Sequence, residues 1–267
     1  MSDWSQRVVV VTGASQGLGR AIAEAWARRG AKLALVARGA EALQAVADEL
    51  ARAGHEALAV PTDLTRDDEV AALVETVVAR WGRIDVLVNN AGRSSRGAVL
   101  ETSPDEFHAL LELNLLAVVR ATRACASSLL EAGGHLVNIG SLAGKSAARY
   151  LGAYPASKFA LSGYTQQLRL ELAPQGLHVL LVAPGPIARA DSSPRYVEQS
   201  AGLPAEALRP GGGVRTKAIA PAWLAERIIA ACERREPELV VPAKARLLFA
   251  AAQLSPRLGD WLVRRMT

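Results

Sequence analysis

Thr12-Gly13-Ala14-Ser15-Gln16-Gly17-Leu18-Gly19 stands between a short β-branched run at 7–11 and a helical pattern at 18–29. Glycines allow tight turns and let an anion approach main-chain N–H groups. A helix starting directly after such a turn points its positive end at that anion, so the stretch suits a pyrophosphate. Three glycines alone would say little; their place at the first strand–helix junction makes them informative. Outward from this turn, apolar runs alternate with helical periods. Strands are predicted at Lys32–Ala37, Ala57–Pro61, 84–89, His135–Ile139, 178–183 and Glu238–Val241. Helices are predicted at 40–53, Asp67–Trp81, 103–130, 155–173 and 220–233. Nearly continuous apolar strands separated by helices imply a parallel sheet covered on both faces. The fold class expected is α/β: a single doubly wound domain with a mostly parallel seven-stranded sheet, its core at 7–242. Four prolines and little periodicity mark 186–216 as a long loop, and loops of that length are commonly functional. The tail at 243–267 reads as one or two amphipathic helices divided near Ser255-Pro256.

Composition narrows the function classes. Of 267 residues, 50% are hydrophobic and 21% charged, which excludes a disordered chain and provides for a large core. The net charge of +5 would admit nucleic acid, but the basic residues are spread along the chain and aromatics are only 4%. Without a basic block carrying stacking residues, a small anionic ligand is the better expectation and nucleic acid is not expected. Cys125 and Cys232 form neither a CxxC pair nor a zinc quartet, so no metal and no disulfide framework are expected. No run of 18 apolar residues and no basic-then-apolar leader at 1–11 occur, and a cytoplasmic chain is expected.

The glycines do not follow GxGxxG spacing. Thr12-Gly13-x-x-x-Gly17-x-Gly19, Asn89-Asn90-Ala91-Gly92, Asn114, Ser141, Tyr154-Pro155-Ala156-Ser157-Lys158 and Pro184-Gly185 follow one another in order, with Ser141 thirteen residues before Tyr154. This ordered set resembles the short-chain dehydrogenase/reductase family, and the resemblance runs over about 8–241.

The chemistry fits these residue types. Hydride exchange between a nicotinamide and an alcohol carbon needs a partner for the hydroxyl proton. Tyrosine at its free pKa is a poor base, and lowering it by three units takes roughly 4 kcal/mol of preference for the phenolate. A lysine cation four residues on, on the same helix face, could supply much of that. Pro155 disfavours helical geometry at Tyr154, which is therefore expected at the very start of its helix. By the resemblance, Tyr154 is the general acid/base, Lys158 lowers its pKa and holds the nicotinamide ribose, Ser141 bonds the substrate oxygen, and Asn114 anchors a water in a proton relay. The alternative is a non-catalytic dinucleotide-binding or scaffold protein of the same fold.

Cofactor contacts implied by the resemblance are Gly13, Ser15, Gln16, Gly17, Leu18 and Gly19 in the turn, Asp63 and Leu64 near the adenine, Asn90, Ala91 and Gly92 by the ribose, and Pro184, Gly185 and Ile187 by the carboxamide, besides Tyr154 and Lys158. Arg189 stands where family members often carry Thr. Strand two ends Leu35-Val36-Ala37-Arg38 without an acid for a ribose 2′-hydroxyl, whereas Arg38 offers a planar fork to a 2′-phosphate. NADP(H) is thus expected over NAD(H). The partners expected are a small carbonyl or alcohol substrate and a second copy of the chain, as homodimer or homotetramer. For the tail, with Leu254, Leu258, Trp261 and Leu262 on one face, packing on its own domain or a sister subunit is preferred to peripheral contact with an anionic membrane.

Overall fold

The structure, a computed structural model, describes residues 3–188, Tyr196, Gln199, 202–208 and 217–266. Strands β1 (Val8–Thr12), β2 (Lys32–Ala37), β3 (Ala57–Pro61), β4 (Val86–Asn89), β5 (His135–Ile139), β6 (His178–Pro184) and β7 (Glu238–Val241) lie side by side in the order β3-β2-β1-β4-β5-β6-β7. All six pairings are parallel. Strand period decides which residue serves which face. Val9, Val11, Leu33, Leu35, Val86 and Val88 face one core layer, and their neighbours Val8, Val10, Ala34, Val36 and Leu87 face the other.

Helices α1 (Gly17–Ala27), α2 (Ala40–Arg52) and α7 (Pro221–Glu233) bury Ile22, Trp26, Leu43, Val46, Ile228 and Ile229 in the first layer. Helices α3 (Asp67–Trp81), α5 (Ala117–Glu131) and α6 (Tyr154–Leu172) cover the second. The helix expected over 103–130 divides into α4 (Pro104–Leu111), a π-helical turn at Glu112–Leu116 and α5. Ser103 opens α4 with a complete capping box to Glu106, which satisfies two otherwise unpaired backbone donors. This 28-residue stretch is long and apolar enough to cross a membrane by length and composition. It instead sets Ala117, Ala121, Cys125 and Leu129 into the second core layer.

A buried polar chain crosses the sheet. Asn89 and Asn138 lie directly opposite each other on β4 and β5, and Asn89 Nδ2 donates to Asn138 Oδ1 at 2.9 Å. Asn138 in turn donates to Thr165 Oγ1 of α6 at 3.0 Å, and Asn89 to Thr122 Oγ1 of α5 at 3.2 Å. All four side chains are buried.

Helices α8 (Ala245–Leu254) and α9 (Pro256–Met266) divide at Ser255, as expected. They pack on each other, and α8 adjoins β7. The loop after Pro186 returns to Ile219 through a backbone bridge at Ile187 and contains a 3-10 turn at Ala205–Leu208; Arg189 lies outside the described residues.

At the opposite edge of the sheet from the glycine turn, the fold joins residues that are remote in sequence. The ring nitrogens of His135 and His178 and the thiol of Cys232 lie within 4.8 Å of one another. His178 Nε2 meets the Glu236 carbonyl at 2.8 Å and must donate, so its Nδ1 accepts from His135 Nδ1–H at 2.9 Å. Both rings are neutral in this arrangement. Burial first, then His178 and the cations Arg235 and Arg7, push His135 down to about 3. Burial also pushes Cys125 up to about 12 and Cys232 upward, so both free thiols stay protonated.

An unfolded histidine protonates below about 6.5 while native His135 does not, so its contribution is complete above that pH and is lost as pH falls toward 3. For this one group, each pH unit below about 6 should cost up to about 1.4 kcal/mol. Urea unfolding at pH 7 and pH 5 is expected to show a steeper loss for the native chain than for His135→Phe. Equal losses would contradict the assignment.

Candidate active site

Because every strand runs the same way, six strand ends open on one edge of the sheet, the edge where open α/β sheets bind ligands. The glycine turn follows β1, Arg38 follows β2, Asp63 follows β3, Asn90 follows β4, Ser141 follows β5 and Gly185 follows β6.

The glycine turn is held by β4. Thr12 Oγ1 donates to the Val88 carbonyl at 3.2 Å and accepts from Asn90 N and Ala91 N at 2.9 and 3.0 Å. Asn90 Nδ2 donates to the carbonyls of Thr12 and Gly13 at 2.9 and 3.3 Å. Side chains are excluded from this contact: a Cβ on Gly19 would fall 2.1 Å from Gly13 O and 2.5 Å from Asn90 Nδ2, and one on Gly13 2.9 Å from Asn90 Nδ2. Gly17 has φ +57 and faces open space. The turn is therefore tight on its sheet side and open outward at the start of α1, as an anion cradle requires. Ser15 is partly exposed and Gln16 exposed, while Leu18 and Leu64 turn their side chains into the core and can offer a ligand their backbones.

Arg38 is exposed, and its guanidinium lies near enough to Asp63 to help hold that carboxyl below its usual range. The larger causes are hydrogen bonds from Thr65, whose N and Oγ1 donate to Asp63 Oδ1 at 3.0 and 2.8 Å. Asp63 is thus engaged in an Asx turn at the approach to α3.

Ser141 follows β5 and caps a 3-10 turn at Leu142–Gly144, its Oγ accepting from Ala143 N at 3.1 Å. Gly144 presses on α6 so closely that a Cβ would lie 2.5 Å from the Lys158 carbonyl. Tyr154 is the first residue of α6, with Pro155 second, as the proline requires. Its phenol lies close enough to the Ser141 side chain for that side chain to favour the ionised form. Lys158 is buried one turn on, and its Nζ donates to the Ile139 carbonyl at 2.8 Å. Asn114 sits in the π turn, fully buried. Its Oδ1 accepts from Arg93 N, and its Nδ2 donates to Arg93 O and Ser157 Oγ, at 2.9, 2.9 and 3.0 Å. Gly92 lets the chain pass over both, since a Cβ there would lie 2.8 Å from Asn114 Oδ1 and 3.7 Å from Lys158 Nζ.

Without a bound nucleotide, the Tyr154 phenol is held above its usual pKa. Burial is the main cause and the phenol of Tyr196 adds to it; the nearby Ser141 side chain and the cation of Arg96 oppose it. Lys158 is itself brought down to about 8 by burial and directs its ammonium at a carbonyl.

Arg96 and Tyr196 were not singled out by sequence. Arg96 is buried, donates from Nε to the Ala207 carbonyl at 2.7 Å, and lies 3.9 Å over the Tyr196 ring. The Tyr196 hydroxyl meets Ser94 Oγ. The partners are about a hundred residues apart, so no local period announces them.

A sequence model of the short chain dehydrogenase family matches residues 7–200. A ketoacyl reductase of Nostoc is 32% identical over 271 residues, covering 99% of this chain and 90% of that protein. Among solved structures, a metagenomic short-chain oxidoreductase in complex with NADP has 37% identity and a TM-score of 0.73, over 90% of this chain and 98% of its own. A short chain dehydrogenase/reductase from Burkholderia phymatum in complex with NAD has 26% identity and a TM-score of 0.84, over 97% and 96%. The parallel sheet, the family match over most of the chain and these relatives give one conclusion: the protein belongs to the short chain dehydrogenase family and is an oxidoreductase that uses a nicotinamide dinucleotide.

Proposed function

We propose that the protein interconverts a carbonyl and a secondary alcohol with NADP(H) as its preferred cofactor, and that the chain acts as one dinucleotide-binding domain. The observation that carries the reading is that Ser141 after β5, Tyr154 at the first residue of α6, Lys158 one turn on and Asn114 bonded to Ser157 lie on the edge that holds the glycine cradle. The bound cofactor supplies or accepts the hydride. Tyr154 gives its phenolic proton to the substrate oxygen during reduction and takes it back during oxidation. Burial keeps that phenol protonated at neutral pH, which favours the donor role. Ser141 fixes the substrate oxygen. Lys158 holds positive charge below the tyrosine and reaches for the nicotinamide ribose, and Asn114 orders the backbone at Arg93 while serving the proton path.

The turn at Gly13–Gly19 would hold the pyrophosphate, with Asp63 and Leu64 toward the adenine, Asn90, Ala91 and Gly92 along the ribose, and Pro184, Gly185 and Ile187 at the carboxamide. Arg38 and Ser15 would meet the 2′-phosphate. A planar, charge-assisted contact is worth about 1.5–3 kcal/mol, so NADPH should bind at least about tenfold tighter than NADH. Titration of both cofactors into the native chain and Arg38→Ala tests this, together with turnover on a panel of ketones and aldehydes. Equal native affinities, or an unchanged NADPH affinity in the variant, would remove Arg38 from the site. The exposed apolar side chains Leu116, Phe159 and Leu170, on the π turn and α6, support a homodimer or homotetramer built on these helices. Two free thiols suit the cytoplasm.

A further inference from the structure

From the C-terminal hairpin we infer that the protein docks through α8 and α9 on an anionic lipid surface, a role separate from the reductase site. The charge of the chain is concentrated there. Lys244, Arg246, Arg257, Arg264 and Arg265 face a single acid, Asp260, so this short segment carries four of the five net positive charges of the whole chain. The remaining nine-tenths of the protein is close to neutral.

The apolar side chains of the hairpin are not used up by the fold. Leu247 and Leu254, one heptad apart and so on the same face of α8, are 77% and 87% exposed. Leu258 and Trp261 on α9 are 45% and 48% exposed. Within the hairpin, Gly259 fits against Ala252 so closely that a Cβ would come within 2.6 Å, which fixes the two helices to each other. Arg265 stacks on the Trp261 ring at 4.3 Å, placing a cation and an amphipathic ring together. Exposed leucines, an indole and a border of arginines are the elements of an interfacial helix, whose apolar side enters the acyl boundary while its cations meet lipid phosphates.

Charge decides between this surface and a second copy of the chain. A two-fold contact through the hairpin would set one strongly basic patch against an identical one, and like charges facing each other across an interface are repulsive. An anionic bilayer instead complements both the charge and the leucines.

The test is co-sedimentation of the full chain with vesicles of equal parts phosphatidylcholine and phosphatidylglycerol, against vesicles of phosphatidylcholine alone. At low salt, binding to the anionic vesicles is expected to be at least about tenfold tighter, because each basic side chain near such a surface contributes. The variants Arg264→Glu/Arg265→Glu and Leu247→Ser/Leu254→Ser should each lose at least about tenfold in that binding. All four residues are on the surface and outside the active site, so reductase turnover and Tm should stay native in both variants. Failure of the native chain to bind, equal binding to both vesicle types, or native-like binding by both variants would overturn the proposal. So would a dimer that dissociates in the variants while no vesicle binding is seen, which would give the face to a second copy.

Discussion

Tyr154→Phe is expected to bind NADPH as the native chain does and to reduce carbonyl substrates at least about a hundredfold more slowly, the usual scale for loss of a general acid. The phenylalanine ring keeps the packing at the start of α6 and removes only the hydroxyl. Loss of turnover with intact cofactor affinity would separate chemistry from binding. The pH profile gives a second readout. In reduction the phenol must be protonated, and burial holds its pKa above the ordinary tyrosine value, so the native rate should stay level through neutral pH and fall only in alkali. Turnover at the native rate on any carbonyl would exclude Tyr154 as the proton donor.

Gly19→Ala should be the most damaging small substitution in the cofactor cradle. Its methyl group would lie 2.1 Å from Gly13 O and 2.7 Å from Gly13 C, and both are backbone, which cannot swing aside. Helix α1 would have to retreat from the turn. Overpacking of this kind costs about 1–3 kcal/mol or more, which for a chain of this size lowers Tm by roughly 2–12 °C. The larger effect should be on function, since displacing the helix start removes the dinucleotide's main anion contact; NADPH affinity should fall by more than about tenfold. Gly17→Ala provides the comparison. Its Cβ would meet nothing within 4 Å, and its cost is confined to the left-handed φ of +57. Equal effects of the two substitutions on Tm and on NADPH affinity would show that conformation, not the Gly13–Gly19 contact, makes these glycines necessary.

Much of this architecture is written locally. Strands β2, β3, β5 and β7 and helix α3 begin and end where their sequences predict, because turn residues bracket each apolar run. The break between α8 and α9 is announced by Ser255-Pro256. The π turn around Asn114 was not announced: Glu112–Leu116 has ordinary helix formers, and the extra turn width accompanies Asn114's bonds to Arg93 and Ser157 from distant segments. The same holds for the site. Tyr154, Lys158 and Ser141 are legible as a spaced set, whereas Arg96 against Tyr196 and His135 against His178 exist only once the chain is folded.

The buried amides of Asn89 and Asn138 have a consequence for how the sheet finds its arrangement. Strands β4 and β5 read Val-Leu-Val-Asn and His-Leu-Val-Asn-Ile, nearly uniform apolar runs. Sliding one past the other by two residues would leave each valine and leucine on its proper face, so hydrophobic burial alone hardly distinguishes that error from the native pairing. The amides do distinguish it. After such a slip each loses its cross-strand partner in a dry environment, at a cost of about 1–3 kcal/mol per stranded group. The two asparagines therefore act as a proof-reading mark in the middle of a repetitive message: they reject a misaligned sheet that grease by itself would accept, and they do so beside the site that depends on the alignment, Asn89 adjoining Asn90 and Asn138 lying three residues before Ser141.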